Sequence, residues 1–451
     1  MNRTDEGLSR GITKWDLVAL FVNVTVGAGI FRLPADVQKA VGNYSLVAFV
    51  VCAVLIGLIA FCFAEVGSRF NRTGGPYLYA RETFGSTLGF TVGWLMWLTR
   101  MAGFATLTQV FIAYLSYFWP PAGSGLSRVL IISGLVLFLT IINIAGVKDS
   151  ARASDILTIS KLIPLLLFVA VGLFFVSRSS FELPARPKLA AFSGAVFVLI
   201  YVFSGFEAVL VNSGEICEPQ RAIPFALPFA LALAVVLFVL IQVVCIGTLP
   251  QLSASERPLA DASRNFLGIL GPSIISATAL VAILGTLNAV MLALTRLPFS
   301  MAVENQLPRW LARVHPRFRT PHLSILLSAA AVLLLALSGT FMYAVRVTVV
   351  TRVIVYISTC VALPVLRRRD KMIASARSQG SPTGFRLPAG VFISIVCVIL
   401  CLWLLANSGW REVRDVAIAV TIGLVLYAAT RLFQRRSEPT GGDPSSRHET
   451  L

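Results

Sequence analysis

Apolar runs of bilayer-spanning length, about 20 residues each, follow one another along most of the chain. They fall near 14–41, 44–69, 86–118, 127–146, 153–176, 191–213, 222–249, 272–302, 322–339, 345–366, 387–406 and 414–433. Only short polar segments separate them. The pattern predicts an all-α, polytopic membrane protein with about twelve transmembrane helices.

Two of these runs are interrupted. The first reads WDLVALFVNVTVGAGIFRLPADVQKA and meets Gly27, Ala28 and Gly29, then Pro34. The sixth reads AAFSGAVFVLIYVFSGFEAVLVNSGEI, with Ser204 and Gly205 in mid-span and Glu207 just beyond. Glycine inside a helix costs about 1 kcal/mol relative to alanine. Irregular backbone at membrane depth persists only where protein buries it or a cavity needs it. Small residues also serve close helix packing. Broken spans at matching places in two halves point instead to a transporter binding site near the midplane. Five spans counted from each break give 14–176 and 191–366, two units of similar length. Five being odd, the second would be inverted relative to the first. That leaves residues 1–13 as an N-terminal segment, 387–433 as two further helices, and 434–451 as a tail.

Composition fits this outline. Of 451 residues, 57% are hydrophobic and 13% charged, about half the charged share of a soluble domain. The net charge of +17 raises the question of nucleic acid, but its distribution answers otherwise. With the N-terminus in the cytoplasm, most Lys and Arg fall in inner loops, including Arg309, Arg313, Arg317, Arg319 and Arg367, Arg368, Arg369, Lys371 and Arg377. This is the positive-inside bias with contacts to anionic headgroups. An even number of spans puts both termini in the cytoplasm. The seven cysteines lie in or beside apolar runs, and none shows metal-ligand spacing with His315, His322 or His448. Neither a disulfide scaffold, a metal site nor a cofactor is expected. No cleavable signal precedes the first span. The tail SEPTGGDPSSRHETL is polar, rich in Gly, Pro and Ser, and reads as disordered.

Four stretches make the chain recognisable: Val26-Gly27-Ala28-Gly29-Ile30-Phe31 followed by Pro34; AEVGSRFNRTGGPYLYARETFG (64–85) running into GFTVGWLMWL; SGFEAVLVNSGEICEPQRAIPFAL (204–227); and TRLPFSMAVENQLPRWLARVHPRFRTPHLSI (295–325). On these the chain resembles the amino acid–polyamine–organocation permeases over about residues 12–370. The resemblance implies the LeuT-like fold: a 5+5 inverted repeat, helices 1 and 6 unwound midway, and two extra C-terminal helices. Asn71-Arg72-Thr73 replaces a loop that usually contains proline, and Glu304-Asn305 stands where Asp-Gly is common.

Resemblance and physics converge on the site. Amides freed at a helix break face out from a half-helix N-terminus carrying about half a positive charge. Val26, Gly27, Ala28, Gly29 and Ile30 would thus hold a substrate carboxylate. The freed carbonyls of Tyr201, Val202 and Ser204 would hold its ammonium. The resemblance implies that Tyr201 is an aromatic gate; packing is the alternative. The resemblance also implies that Thr99, Arg100 and Phe104 of the third span lie towards the substrate side chain, and Phe206 joins them as a pocket or packing residue. Arg100 is permanently charged and would repel a cationic side chain. Its alternative is an internal salt bridge to Glu207 or Asp36. Lys161 is a functional candidate because a charge in a span costs on the order of 3 kcal/mol. In sodium-independent members of the resembled family a lysine here replaces a sodium ion; snorkelling to the inner surface is the alternative. Glu207 is either a proton-linked carboxylate or a partner of freed backbone. The resemblance implies that Arg352 is structural or outer-gate; Glu65, Glu215 and Arg296, at inner span ends, read as structural, with a cytoplasmic gate contact as the alternative.

The expected activity is alternating-access transport of a neutral or acidic amino acid across a bacterial-type inner membrane, without sodium, by proton symport or by exchange. The partners are the amino acid, the bilayer and, for symport, protons. Two other possibilities stand: a polyamine or amine exchanger, and a transport-dead nutrient sensor. No span carries a His–Glu, Asp–Asp or Ser–His arrangement, so enzymatic chemistry is not expected. The sequence leaves the coupling ion and oligomeric state open.

Overall fold

The computed structural model describes residues 11–145, 150–183, 185–377 and 385–437. The helices are α1 (Lys14–Thr25), α2 (Leu33–Val41), α3 (Ser45–Gly67), α4 (Pro76–Phe84), α5 (Ser86–Phe118), α6 (Gly125–Ala145), α7 (Ser150–Gly172) and α8 (Leu189–Leu199). They continue as α9 (Phe206–Val209), α10 (Pro219–Thr248), α11 (Pro258–Leu267), α12 (Leu270–Val303), α13 (His322–Ser338), α14 (Phe341–Arg377), α15 (Gly390–Ala406) and α16 (Trp410–Ser437). Among the described residues the only β-type pairing is an isolated bridge between Ile12 and Ile216. Among the described residues seven helical stretches are long and apolar enough to cross a membrane, and four shorter apolar helices accompany them. Helices suit that environment because each closes its own backbone hydrogen bonds where lipid offers none.

The expected first span, 14–41, is two pieces. At 1.5 Å per residue the 12 residues of α1 reach about 18 Å, short of a hydrocarbon core of about 30 Å. The last α-helical bond runs from the Val26 amide to Val22. A 3₁₀ turn, Ala28–Phe31, follows, and Pro34 sits in the first turn of α2, where its missing N–H costs nothing. The sixth span breaks over more residues than expected: α8 stops at Leu199, and regular helix resumes at Phe206.

Two helices lie outside the expected spans. Both α4 and α11 open with proline and end at a glycine of positive φ, Gly85 (+92°) and Gly268 (+64°), the usual punctuation of a short helix. Helix α14 runs past 366 to Arg377. Residues 434–437, expected in the tail, continue α16; the rest of the tail and residues 1–10 lie outside the described residues. Helix α5 lies at the centre, against α12, α13 and α14, while α1 packs on α10. Both α5 and α12 also touch the 3₁₀ turn, so the first break is walled by long, continuous helices.

Candidate functional site

The two breaks meet. A Cβ on Gly29 would lie 2.8 Å from Cδ1 and 3.0 Å from Cε1 of Tyr201, and 3.4 Å from Val202 Cα. A Cβ on Gly205 would lie 2.8 Å from Val24 Cγ1 and 3.1 Å from the Val24 carbonyl oxygen. Gly205 has φ +114°, a conformation L side chains rarely adopt. Each break therefore needs a glycine where the other crosses it.

The groups free at the first break are fewer than expected. The Val26 amide bonds Val22 and the Gly27 amide bonds Thr25 (both 2.8 Å). A 3₁₀ turn pairs each amide with the carbonyl three residues back, which engages Ile30 as well. Ala28 and Gly29, at the start of the turn, are the positions its own carbonyls do not serve.

At the second break the Tyr201 carbonyl accepts from Ser204 Oγ at 2.8 Å, so it is not bare. Among the described residues nothing donates to the carbonyls of Val202 and Ser204. Glu207 folds back to accept from the Gly205 amide (3.0 Å) and from Tyr356 Oη (3.1 Å). Its Oε1 lies 2.8 Å from Arg352 Nε, and Arg352 Nη1 also donates to Ser204 Oγ. Arg352 of α14 thus holds the unwound segment at two points. The sequence held one signal for this pair: an arginine in mid-span needs a buried partner. Breaking a buried ion pair from one side costs about 3–5 kcal/mol, whereas removing both charges costs less. Glu207→Gln and Arg352→Gln should each lower the melting temperature and transport, and the double variant should be more stable than either. A double variant whose losses simply add would show that the pair does not act as a unit.

Lys161 is 4% exposed, and its Nζ donates to the carbonyl of Asn23, in the last turn of α1, at 2.5 Å. It is not stretched to the surface. Arg100 meets neither Glu207, taken by Arg352, nor Asp36, which pairs with Arg32 at 3.3 Å. Its Nη1 donates instead to the Ala293 carbonyl of α12 at 3.1 Å. Among the described residues no carboxylate lies within ion-pair distance of it. Thr99 Oγ1 bonds Leu95 O and Thr351 Oγ1 (2.7 and 2.8 Å), and Phe104 is fully buried. Phe206 stacks on Tyr356 (5.5 Å) and meets Phe63 edge-on (5.3 Å). In this conformation Thr99 and Phe206 serve helix packing. The half-buried Tyr201 spans from Gly29 to Thr106 of α5. An open cavity of about 690 Å3, lined by residues such as Tyr117, Ser255, Glu256 and Asp261, includes none of these groups.

Three of the four distinctive stretches of sequence meet in space. Glu304 accepts from Arg81 Nη1 (2.5 Å) and Tyr77 Oη (2.6 Å), and Gln306 donates to Tyr77 Oη (2.8 Å). Burial and the Glu304 carboxylate push the Tyr77 phenol up. Asn305 sits at φ +59°, the left-handed region in which asparagine is the best tolerated substitute for glycine. The Gly74 amide donates to the Val211 carbonyl (2.9 Å), joining the second stretch to the third. Glu65, read from sequence as structural, is the hub of a cluster missed there: it accepts from Arg367 Nε and Nη2 (2.7 and 2.6 Å), Arg69 Nη2 (2.9 Å) and the Leu387 amide (2.9 Å).

A sequence model of the amino acid permeases matches residues 12–427. The chain belongs to the amino acid permease family. This permease is 26% identical over 433 residues to the serine/threonine exchanger SteT of Bacillus subtilis, covering 94% of this chain and 97% of that one. It is 27% identical over 445 residues to the methylthioribose transporter and 25% identical over 447 to the branched-chain amino acid permease BcaP, both of B. subtilis; each match covers 94% of this chain and 93% of the relative. As a family member it is a multi-pass membrane transporter of small molecules, not an enzyme.

Proposed function

We propose that this permease carries a neutral or acidic amino acid by alternating access, without sodium, by exchange or proton symport. The supporting observation is the contact between the two chain breaks at membrane depth. Ala28 and Gly29 offer amides and Val202 and Ser204 offer carbonyls, the two polarities that a zwitterion's carboxylate and ammonium require. Tyr201 is the gate, its ring lying on Gly29. Lys161 stands at the end of α1 as a fixed cation that leaves no need for sodium there. Around the breaks the two five-span units, 14–176 and 191–366, rock against each other, with both termini in the cytoplasm. Among the relatives, the one named a serine/threonine exchanger and the one named a branched-chain amino acid permease agree with a neutral substrate.

Arg100 sets the lower bound on substrate charge. With no carboxylate at ion-pair distance among the described residues, it disfavours lysine, arginine and diamines. The test is uptake into proteoliposomes in sodium-free buffer, with unlabelled competitors. Competition by neutral or acidic amino acids is expected; competition by putrescine or methylthioribose alone, or an absolute need for sodium, would refute the proposal. Arg100→Leu should raise the KM for the preferred substrate by about tenfold, the loss of one charged hydrogen bond, and should relax the exclusion of cationic amino acids. An unchanged competitor profile would remove Arg100 from selection.

A further inference from the structure

Between α3, α14 and α15 lies a cluster that the transport reading does not use. Cys62, Cys360 and Cys397 come one from each helix, and all three are 0% exposed. Their Sγ atoms lie within 4.8 Å of one another. A buried cysteine by itself is a small hydrophobe filling space. Three sulfurs converging from three helices form a donor set.

From this geometry we infer that the cluster is a three-sulfur site for a soft monovalent cation, copper(I) in the first instance. A metal about 2.3 Å from each of three sulfurs sets them about 4 Å apart, within the spacing present here. Thiolate donors select thiophilic ions over magnesium or calcium, which take oxygen. Structural zinc takes four ligands. Cys401, one turn along α15 and also buried, is not part of the sulfur group, and no histidine or carboxylate joins it among the described residues. Cysteine binds a metal as its thiolate, so loading of the three sulfurs releases up to three protons.

The site is joined to the transport machinery. Phe63, next to Cys62, packs edge-on against both Phe206 and Tyr356. Tyr356, one turn from Cys360 on α14, donates to Glu207. Ser394 donates to the Cys360 carbonyl at 2.7 Å, tying α15 to the same turn. A metal here clasps α14 to α3 and α15 and restrains the helix that holds the second break, so loading slows transport.

The test is an anaerobic titration of the full-length, detergent-purified protein with copper(I) against the chelator bathocuproine disulfonate, a readout that does not depend on transport. One equivalent should be retained, with X-ray absorption showing sulfur neighbours only, three in number. Cys62→Ser, Cys360→Ser and Cys397→Ser should each weaken retention by tenfold or more, while Cys52→Ser and Cys245→Ser should leave it unchanged. One equivalent of copper(I) should slow uptake in the parent protein and not in Cys397→Ala, chosen because alanine keeps the apolar packing. Equal retention by the variants, no retention by the parent, or two-sulfur coordination would overturn the inference.

Discussion

Lys161→Ala is expected to lower initial uptake about 100-fold while leaving expression and melting temperature at or above those of the parent protein. The two effects part company for a physical reason. Removing a buried ammonium lifts an insertion cost on the order of 3 kcal/mol, so folding does not suffer. What is lost is the charged hydrogen bond to the Asn23 carbonyl, worth about 1.5–3 kcal/mol. That carbonyl belongs to the last turn before α1 comes apart. Without its partner, the end of α1 loses the contact that fixes it against α7. A barrier raised by about 2.7 kcal/mol corresponds to 100-fold in rate. A purely structural lysine would show the reverse pattern, with stability changed and transport intact. Uptake measurements beside thermal melts of the same preparations would decide; full activity in the variant would remove Lys161 from the mechanism.

Gly205→Ala should be strongly damaging for a single added methyl group. The residue would be forced into φ +114°, at a strain cost of about 1–3 kcal/mol, and its Cβ would press on the Val24 carbonyl as well as its side chain. Backbone cannot rotate aside as a side chain does. We expect a clear fall in melting temperature and no measurable uptake. Gly29→Ala meets chiefly the Tyr201 ring, so it should cost less stability while still displacing that ring and raising KM. Gly57→Ala and Gly103→Ala provide the control: both lie inside helices with nothing within 4 Å of the added carbon, and alanine there should be neutral or stabilising. Uptake by Gly205→Ala at the parent rate would mean that the crossing of the two breaks is not part of the transport cycle.

The sequence disclosed the positions of both breaks because glycine and proline act locally, through backbone conformation and a missing N–H. It disclosed less of what fills them. Glu207 and Arg352 are far apart in the chain, and nothing near either one names the other. The same holds for Arg100, whose hydrogen bond goes to a carbonyl of α12 rather than to a side chain that a sequence could advertise. Hydrophobicity located the spans but not the helix ends. Past residue 366 the run RRRDKM leaves the apolar pattern, yet arginine and lysine are good helix formers, and α14 continues to Arg377. Helices α4 and α11 went unannounced because a search for apolar runs passes over short amphipathic segments. The amide count at the first break was overestimated for a similar reason. A break predicted from glycine says that α-helix stops, not that a 3₁₀ turn takes over part of its hydrogen bonding.

The bridge between Ile12 and Ile216 has a mechanical corollary. The Gly11 and Ile12 amides both bond to the Glu215 carbonyl, and the Cys217 amide bonds back to Ile12. The strip of chain leading into α1 is thereby stitched to the strip that follows α9, while Val24 is keyed against Gly205 further up. Two levers fastened at both ends swing as one. Any inward-opening motion must carry them together or first unpick that short seam, and a deletion reaching past residue 12 would cut the stitch before the cycle began.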